Sequence, residues 1–333
     1  MFGKGSDWQE RIISIVNREV GVIIEPGMVR QWEGFCEIAK PGSFALDGYV
    51  YGPPRSDFRK KRFNRNHHEG VDRGSTRCTS MQLSMDFHTG LLEMLPKHLW
   101  AYVNDPDEDT SLAVAVLRNP ELVFMPCMSR IMQIEDYLDT TAGSYSLSSL
   151  QYRVLEELAW MYEPYRAART SGMLDTATDK AQFYRMIIDM VCERINRFAL
   201  GRGELGKLDF DYKVIGGGPD WTFVRDMGAD ARIKMFGQDR IKAYIAVRPL
   251  PNGRYDYKIA RQSICVEGFP VPEIKTYLNE REQCPPEASW GGSDIIIGSP
   301  RVIGSRFTPP EVEAMANEIV VPWRESLLQE QVD

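Results

Sequence analysis

Apolar and polar residues follow each other along the chain in patterns that predict strands joined by helices. In roughly the first 200 residues, segments 43–52 and 98–105 are apolar runs of the kind found in buried strands. Segment 111–119 is predicted as the helix after the second strand, and 148–170 and 177–200 have the apolar spacing of helices. This alternation predicts an α/β domain with a mainly parallel sheet flanked by helices.

A glycine-rich stretch at 201–206 predicts a linker between a first domain, 1–200, and a smaller second α/β domain, 207–333. Three segments of the second domain alternate with a period of two and are predicted as strands: 207–215, 240–250 and 255–264. A final helix is predicted over 309–328, broken near Pro322 because proline cannot donate the helical hydrogen bond.

The composition is that of an ordinary globular protein. The chain has 333 residues, of which 43% are hydrophobic and 26% are charged, and this length favours two domains with separate cores. A formal net charge of −7 gives the whole molecule no long-range attraction for nucleic acid. A local basic site for a small anion is still compatible with this charge.

Membrane insertion and export are not indicated. No stretch approaches the roughly 20 apolar residues that a transmembrane helix needs. The polar residues Asp7, Gln9, Glu10 and Arg11 stand where a signal peptide would have its apolar core. The six cysteines form no CxxC pair and are expected to be reduced, mostly buried thiols. We therefore expect a cytoplasmic protein.

Two of the four histidines, His67 and His68, are adjacent in the sequence. Neighbouring side chains on an extended backbone point to opposite faces, so at most one of the two imidazoles can face a given metal ion directly. The alternative interpretation is a polar loop that carries two surface histidines.

Carboxylates in two further segments are candidate metal ligands. Asp107 and Asp109 lie between a predicted strand and a predicted helix, at the kind of strand end that lines the ligand crevice of open α/β sheets. Oxygen ligands beside an imidazole suit Mn²⁺ or Mg²⁺, although an acidic helix cap explains the same residues. Asp139 is followed by two threonines and, at Gly143, a glycine, which fits an ion ligand or a plain turn.

Taken together, the adjacent histidines, the Asp-x-Asp pair and the Asp-Thr-Thr-Ala-Gly turn resemble the motifs of the DHH phosphoesterase superfamily, over about residues 45–145. That superfamily includes RecJ-type exonucleases, oligoribonucleases and family II inorganic pyrophosphatases, and its motifs surround two manganese ions. The resemblance implies one or two Mn²⁺ or Mg²⁺ ions that assist in-line hydrolysis of a phosphate ester. The metal ligands that it implies are His67, Asp107, Asp109, Asp47 and Asp139, and the catalytic residues are His68 and Asp107.

The chain departs from the family pattern at three positions and in the order of its motifs. Asn66 replaces the aspartate before the histidines, Val103 replaces a histidine, and Asp294 replaces a histidine of the second domain. The Asp-x-Asp pair also follows the histidines, whereas it precedes them in the family. Val103 and Asp294, each at the position of a family histidine, favour an alternative function, a catalytically silent nucleotide-binding or regulatory protein on the same fold.

The second domain resembles the DHHA1-like substrate-binding domain of these enzymes in its Arg-x-Ser and glycine-rich segments. The substrate-binding residues that this resemblance implies are Arg261, Ser263, Gly291, Gly292, Ser293 and Arg301. Glycines allow backbone N–H groups to approach an anion closely, and arginines can form paired bonds with phosphate oxygens. A glycine-rich turn with solvated arginines is the alternative.

Arg73 and Arg77 precede a predicted helix whose N-cap is Ser75 or Thr76. A helix start flanked by arginines can hold a phosphate group, and a capped surface helix is the alternative. The basic segment 60–65 is predicted as a solvated loop. The residues assigned to helix packing are Trp160, Tyr162, Tyr165, Met186 and Met190.

The sequence therefore predicts a metal-dependent phosphohydrolase that cleaves a phosphomonoester or phosphodiester in a cleft between the two domains. Its expected ligand is a phosphorylated small molecule, a nucleotide or a short oligonucleotide; no membrane partner is expected, and a homodimer is compatible with the sequence. A metal-dependent amidohydrolase is a further alternative, because sites built from imidazoles and carboxylates are chemically general.

Overall fold

The fold is α/β, as the sequence predicted, with one mostly parallel sheet and one mixed sheet. The chain divides into two compact units. The second unit includes the short segment 141–149, which in the sequence lies between two parts of the first unit. The first unit spans 1–140 and 150–207, and the second spans 141–149 and 208–333. The computed structural model describes residues 19–68, 70–145, 147, 152–283, 285, 289–300 and 303–330.

The sheet of the first unit has five strands in the order β1-β5-β2-β4-β3, of which β1, β5, β2 and β4 are parallel and β3 is antiparallel to β4. All four side chains of β2 are buried, as expected for a parallel strand with both faces covered. The strands are β1 (Glu19–Ile24), β2 (Ser43–Leu46), β3 (Arg55–Asp57), β4 (Arg62–Arg65) and β5 (His98–Val103).

The predicted solvated loop at 60–65 is wrong, because Arg62–Arg65 is strand β4. Phe63 is fully buried and stacks on Phe44 of β2, with ring centroids 4.7 Å apart. The burial of this one aromatic ring, and the pairing of β4 with β2, decide the structure of a segment whose other residues are mostly basic.

The helices of the first unit lie close to their predicted positions. The first predicted helix begins three residues early, at Glu108, because the Asp107 side chain accepts a hydrogen bond from Thr110 N and caps it. The predicted helix over 148–170 is two helices, and residues 148–151 lie outside the described part. The helices are α1 (Trp32–Ile38), α2 (Thr79–His88), α3 (Leu91–Met94), α4 (Glu108–Arg118), α5 (Pro126–Thr140), α6 (Tyr152–Met161), α7 (Glu163–Thr170), α8 (Met173–Thr176) and α9 (Lys180–Ala199).

The assignment of residues to helix packing is only partly correct. Trp160, Tyr162 and Tyr165 are buried, as predicted. Met186 and Met190 on α9 are 47% and 43% exposed, so their assignment to helix packing is wrong. Both lie on the outer face of the helix, while residues such as Ile187 and Val191 form its buried face.

The second unit contains a six-stranded mixed sheet in the order β10-β11-β9-β8-β7-β6. One hydrophobic core includes Phe223, Ile245, Tyr257 and Trp290. The strands and helices are β6 (Lys213–Gly218), β7 (Trp221–Arg225), α10 (Ala231–Gly237), β8 (Ala243–Pro249), β9 (Tyr255–Arg261), α11 (Val271–Glu282), β10 (Gly291–Gly292), β11 (Ile296–Gly298) and α12 (Pro309–Glu330).

Two predictions for the second unit are corrected. The strand predicted from residue 207 begins at Lys213. Before it, the backbone N–H groups of Asp209 and Asp211 donate to the side chains of Asp230 and Asp209, so they are not used for strand pairing. Helix α12 continues through Pro322 instead of breaking there. Pro322 has no N–H group to donate to the carbonyl group of Glu318, and Glu318 is exposed, so water can bond to that carbonyl instead.

Helices α9 and α12 have 20 and 22 residues, which is long enough to consider membrane insertion. Both carry charged side chains along their length. Across the residues that the structure describes, no helix combines the length and the hydropathy needed to cross a membrane.

The parallel arrangement of β2, β4 and β5 determines where the polar candidate residues lie. Asp47 directly follows β2, His67 comes two residues after β4, and the Asp107–Asp109 segment follows β5. The carboxyl ends of parallel strands meet at one edge of the sheet, which is where open α/β sheets bind ligands.

Candidate metal centre

Four side chains of the first unit converge on one buried point. His67 Nε2 lies 2.7 Å from Asp139 Oδ2, 3.1 Å from Asp47 Oδ1 and 3.7 Å from Asp109 Oδ2. One donor atom from each of these four residues lies within 4.8 Å of the others. The structure thus brings together a histidine and three carboxylates from segments that are distant in the sequence, and this buried cluster can bind a metal ion.

The local backbone conformation aims Asp47 at this cluster. Asp47 has a left-handed φ of 46° and Gly48 a φ of 83°, so the chain turns sharply as it leaves β2. Asp47 N donates to Arg65 O across the end of β4 at 2.9 Å, which keeps this turn beside the histidine segment.

His68 lies at the edge of the cluster, and the two imidazoles have different surroundings. His67 is fully buried, whereas the His68 side chain is 29% exposed, with Nε2 2.8 Å from Asp47 Oδ1. Asn66 Oδ1 accepts a hydrogen bond from His68 N at 2.8 Å and so helps to hold this segment. The alternative of two surface histidines is wrong for His67.

The donor atoms of the cluster approach each other without forming ordinary hydrogen bonds. Among the described residues, three buried atoms have no partner with hydrogen-bond geometry, namely the two ring nitrogens of His67 and Asp139 Oδ2. His67 Nε2 and Asp139 Oδ2 are nevertheless only 2.7 Å apart. Buried polar atoms are nearly always bonded, so buried donors that converge in this way fit a bound cation. The residues present therefore fit a metal ion.

Hydroxyl and backbone groups hold two of the carboxylates in place. Thr79 Oγ1 and Thr110 Oγ1 donate to the two oxygens of Asp47 at 3.3 and 3.1 Å. Asp109 accepts from Thr79 N at 2.5 Å and from Ser80 N at 2.9 Å, which are the first N–H groups of α2. Such outer contacts fix the orientation of metal ligands.

Asp107 has a different position from Asp109. Its Oδ1 accepts from Thr110 N at 2.9 Å as the N-cap of α4, which is the structural alternative that the sequence left open. It is not part of the group of four converging donors. The nearby carboxylates still act on it, since burial first, and then the charges of Asp47 and Asp105, hold the pKa of Asp107 well above its usual range.

The helix start that was predicted to hold a phosphate group is filled by the protein's own carboxylates. Asp136 Oδ1 accepts from Cys78 N at 2.8 Å, and Arg77 donates to Asp136 Oδ2 at 2.5 Å. Arg73 donates to Asp139 Oδ1 at 2.8 Å. Both guanidinium groups thus bond to aspartates of α5 in this structure.

Neighbouring groups of opposite charge determine the direction in which the pKa values of Asp47 and His67 are shifted. Burial alone would raise the pKa of the Asp47 carboxyl, but the neighbouring His68 and His67 imidazoles outweigh it and hold that pKa well below its usual range. Burial would likewise lower the pKa of His67, but Asp139 and Asp47 outweigh it and raise the pKa well above the usual value. These opposite charges therefore favour the protonated imidazolium form of His67 when no metal ion is bound.

The other two carboxylates differ from each other. For Asp139, burial is outweighed by His67 and Arg73, which lower its pKa to about 2. For Asp109, burial and then the charges of Asp47 and Asp139 raise the pKa to about 6. A crowded set of carboxylates whose pKa values are pushed apart is typical of functional sites.

Metal binding is expected to release protons and to weaken as the pH falls. Because the pKa of His67 is raised, its imidazole carries a proton at neutral pH, and that proton must leave before the ring can bind a metal ion. Below the raised pKa the ion competes with the proton, and above it the competition ends. Calorimetry with Mn²⁺ in two buffers of different ionisation enthalpy measures the protons released, and identical heats in both buffers would contradict this expectation.

The residues predicted to bind substrate in the second unit have mainly local contacts. Arg261 Nε donates to Asp294 O at 3.0 Å, and Ser263 Oγ accepts from Cys265 N at 3.2 Å. Gly291 and Gly292 form the exposed strand β10, and Ser293 N donates to Ile296 O at 2.8 Å. Arg301 lies outside the described residues.

Sequence reasoning missed three side chains that support the cluster. Thr110 lies three residues after Asp107, and Asp136 lies three residues before Asp139, so both could have been found by helical spacing from residues already singled out. Thr79 had no comparable signal. Its contact with Asp47 depends on how α2 packs against the strand ends.

No model of a known protein family matches the chain, and no curated protein matches it either. A proposal for the function therefore depends on the geometry of the cluster and on the chemistry of its residues.

Proposed function

We propose that the first unit is a divalent-metal-dependent phosphohydrolase whose metal site is the cluster of Asp47, His67, Asp109 and Asp139. The observation that carries this proposal is the convergence of one imidazole and three carboxylates whose buried donor atoms lie within 4.8 Å of one another. The resemblance of the same residues to phosphoesterase motifs supports phosphate ester hydrolysis as the reaction.

The ligand set favours Mn²⁺, with Mg²⁺ as the second choice. Three carboxylates supply hard oxygen ligands, which both ions accept, and an imidazole is more suitable for manganese than for magnesium. Cys78 is buried near the cluster, but among the described residues no cysteine belongs to the groups whose donor atoms converge. The site therefore offers no thiolate ligand.

The residues of the cluster suggest how the reaction proceeds. A bound divalent ion would polarise a phosphoryl oxygen and help to activate water for in-line attack. His68 is oriented by Asp47 and is partly exposed beside the cluster. An imidazole in this position can donate a proton to the leaving oxygen of the ester. Asp107 is next to the cluster, and its role as a further ligand is part of this proposal.

The proposed substrate is a phosphomonoester or phosphodiester, with a nucleotide or short oligonucleotide as the expected class. The motif resemblance supports this class. The departures from the family pattern bear on catalysis, because Val103, at the position of a family histidine, is fully buried in β5. With a valine there, the site has one ligand fewer than the family pattern. This favours the alternative of a protein that binds metal and nucleotide without hydrolysis.

Hydrolysis of an aryl phosphodiester and an aryl phosphomonoester, each with Mn²⁺ or with a chelator, tests the proposed function. We expect metal-dependent release of the aryl alcohol that falls by about 100-fold or more in Asp47→Asn, since this variant loses a ligand charge but keeps an acceptor for the two threonines. Asp189→Asn, which removes an exposed partner of Arg118, is the matched control and should retain full activity.

Three outcomes of this assay separate the candidate functions. Full hydrolysis in Asp47→Asn would contradict the proposed site. Manganese binding without hydrolysis of either ester would favour the silent regulatory protein. Metal-dependent cleavage of an aryl amide in place of the esters would favour an amidohydrolase.

A further inference from the structure

The Arg73 side chain forms hydrogen bonds with both the carboxylate and the backbone carbonyl group of Asp139. Arg73 Nη2 donates to Asp139 Oδ1 at 2.8 Å and to Asp139 O at 2.9 Å, and Nε donates to the same carbonyl oxygen at 3.2 Å. The Arg73 side chain is only 13% exposed. The guanidinium group is thus largely enclosed and committed to one residue.

The two carboxylate oxygens of Asp139 face different partners. Oδ1 accepts the bond from Arg73, and Oδ2 lies 2.7 Å from His67 Nε2 in the cluster. Because a carboxylate is planar and rigid, a bond that fixes one oxygen also fixes the direction of the other. Arg73 therefore determines where Asp139 Oδ2 points.

The position of Asp139 in its helix explains why such a restraint is needed. Asp139 is the residue before the last residue of α5, and its carbonyl group is among the last four, which have no partner within the helix. A cation at this end is also favoured by the helix dipole. The same guanidinium group thus caps the helix end and orients the side chain, so the backbone and the carboxylate of Asp139 are held together.

We propose that Arg73 is a positioning residue of the metal centre, which orients Asp139 as a ligand, and that it is not a direct phosphate ligand. This inference depends on the proposed metal site. It replaces the role predicted for Arg73 from the sequence, because a guanidinium group that makes three bonds to Asp139 would have to break them to bind a phosphate group.

Two effects of Arg73 on metal affinity oppose each other. Its positive charge repels an incoming cation, whereas its hydrogen bonds keep Asp139 Oδ2 in the cluster. The repulsion is reduced because the guanidinium group is paired with a full negative charge and a helix-end carbonyl. Removing partners that orient metal ligands typically weakens metal binding about 10- to 100-fold, so we expect orientation to dominate.

Calorimetric titration of Mn²⁺ into the full metal-free chain tests this role, with Arg73→Met and Arg73→Lys compared with the wild-type chain. We expect about 10-fold weaker binding in Arg73→Met and recovery of part of the affinity in Arg73→Lys, which keeps a charged donor. Arg130→Met is the matched control, since it breaks a 2.7 Å ion pair between the same helix α5 and Glu157, away from the cluster. Its manganese affinity should equal that of the wild-type chain.

The results distinguish this inference from the proposed function. Wild-type affinity or tighter binding in Arg73→Met would overturn the positioning role alone. Failure of the wild-type chain to bind Mn²⁺ would overturn the metal site and the role of Arg73 together. If Arg73→Met does not fold, Arg73→Lys decides, because its affinity should lie below that of the wild-type chain and equal affinity would overturn the role.

Discussion

Replacement of His67 by asparagine is expected to abolish manganese binding and, with it, hydrolysis of phosphate esters. His67 Nε2 is the atom from which the distances to Asp139, Asp47 and Asp109 are all shorter than 4 Å, so its loss removes the centre of the ligand set. Asparagine offers no imidazole nitrogen, and its amide is a weak ligand. We expect the affinity for Mn²⁺ to fall by at least about 100-fold, more than for the loss of a supporting residue.

The control for this experiment is the exposed histidine at the start of β5. His98 is 68% exposed and lies 3.1 Å from Glu19, so His98→Asn should leave manganese binding and hydrolysis unchanged. Calorimetry and the ester assay measure both variants. Tight manganese binding in His67→Asn would show that the metal site lies elsewhere in the chain.

The second large effect is expected for stability, on replacement of Asp136 by alanine. Asp136 is almost fully buried and accepts hydrogen bonds from Cys78 N and from Arg77. Alanine leaves the buried Cys78 N–H group without an acceptor and removes a charge-assisted bond. Each such loss costs about 1 to 3 kcal/mol, so we expect the free energy of unfolding of the first unit to fall by about 2 to 5 kcal/mol.

Urea unfolding of the metal-free chain measures this change, and two further variants show its origin. Asp136→Asn keeps an acceptor for Cys78 N and should lose about half as much stability as the alanine variant. Asp189→Ala breaks an exposed ion pair with Arg118 and should change the free energy of unfolding by less than about 1 kcal/mol. An equally small change in Asp136→Ala would mean that the start of α2 does not depend on this carboxylate.

The sequence located the polar residues of the candidate site well because they follow strands. Apolar runs mark β2 and β5, and the residues after them, Asp47 and the Asp107–Asp109 segment, must lie at the same sheet edge if the strands are parallel. That Asp139 at a helix end also lies there could not be read from periodicity. It entered the sequence prediction because its turn residues fit an ion ligand and because the same turn resembles a family motif.

The sequence could not separate Asp107 from Asp109, although their positions differ. The two residues lie at the start of α4. Asp107 caps α4 itself, whereas Asp109 accepts hydrogen bonds from the first N–H groups of α2. Which carboxylate does which depends on the packing of α2 against α4, a tertiary contact that local spacing does not encode. The buried strand at Arg62–Arg65 was missed for a similar reason, since a single phenylalanine carries its apolar signal.

The meeting of strand ends at one edge has a consequence for chain connectivity. The carboxylates that approach His67 come from the residue after β2, from the first turn of α4 and from the end of α5. Their meeting does not depend on the order of these elements along the chain. A circularly permuted chain with the same sheet order would therefore present the same side chains to one another. The order of sequence motifs is a weaker guide to such a centre than the order of strands across the sheet.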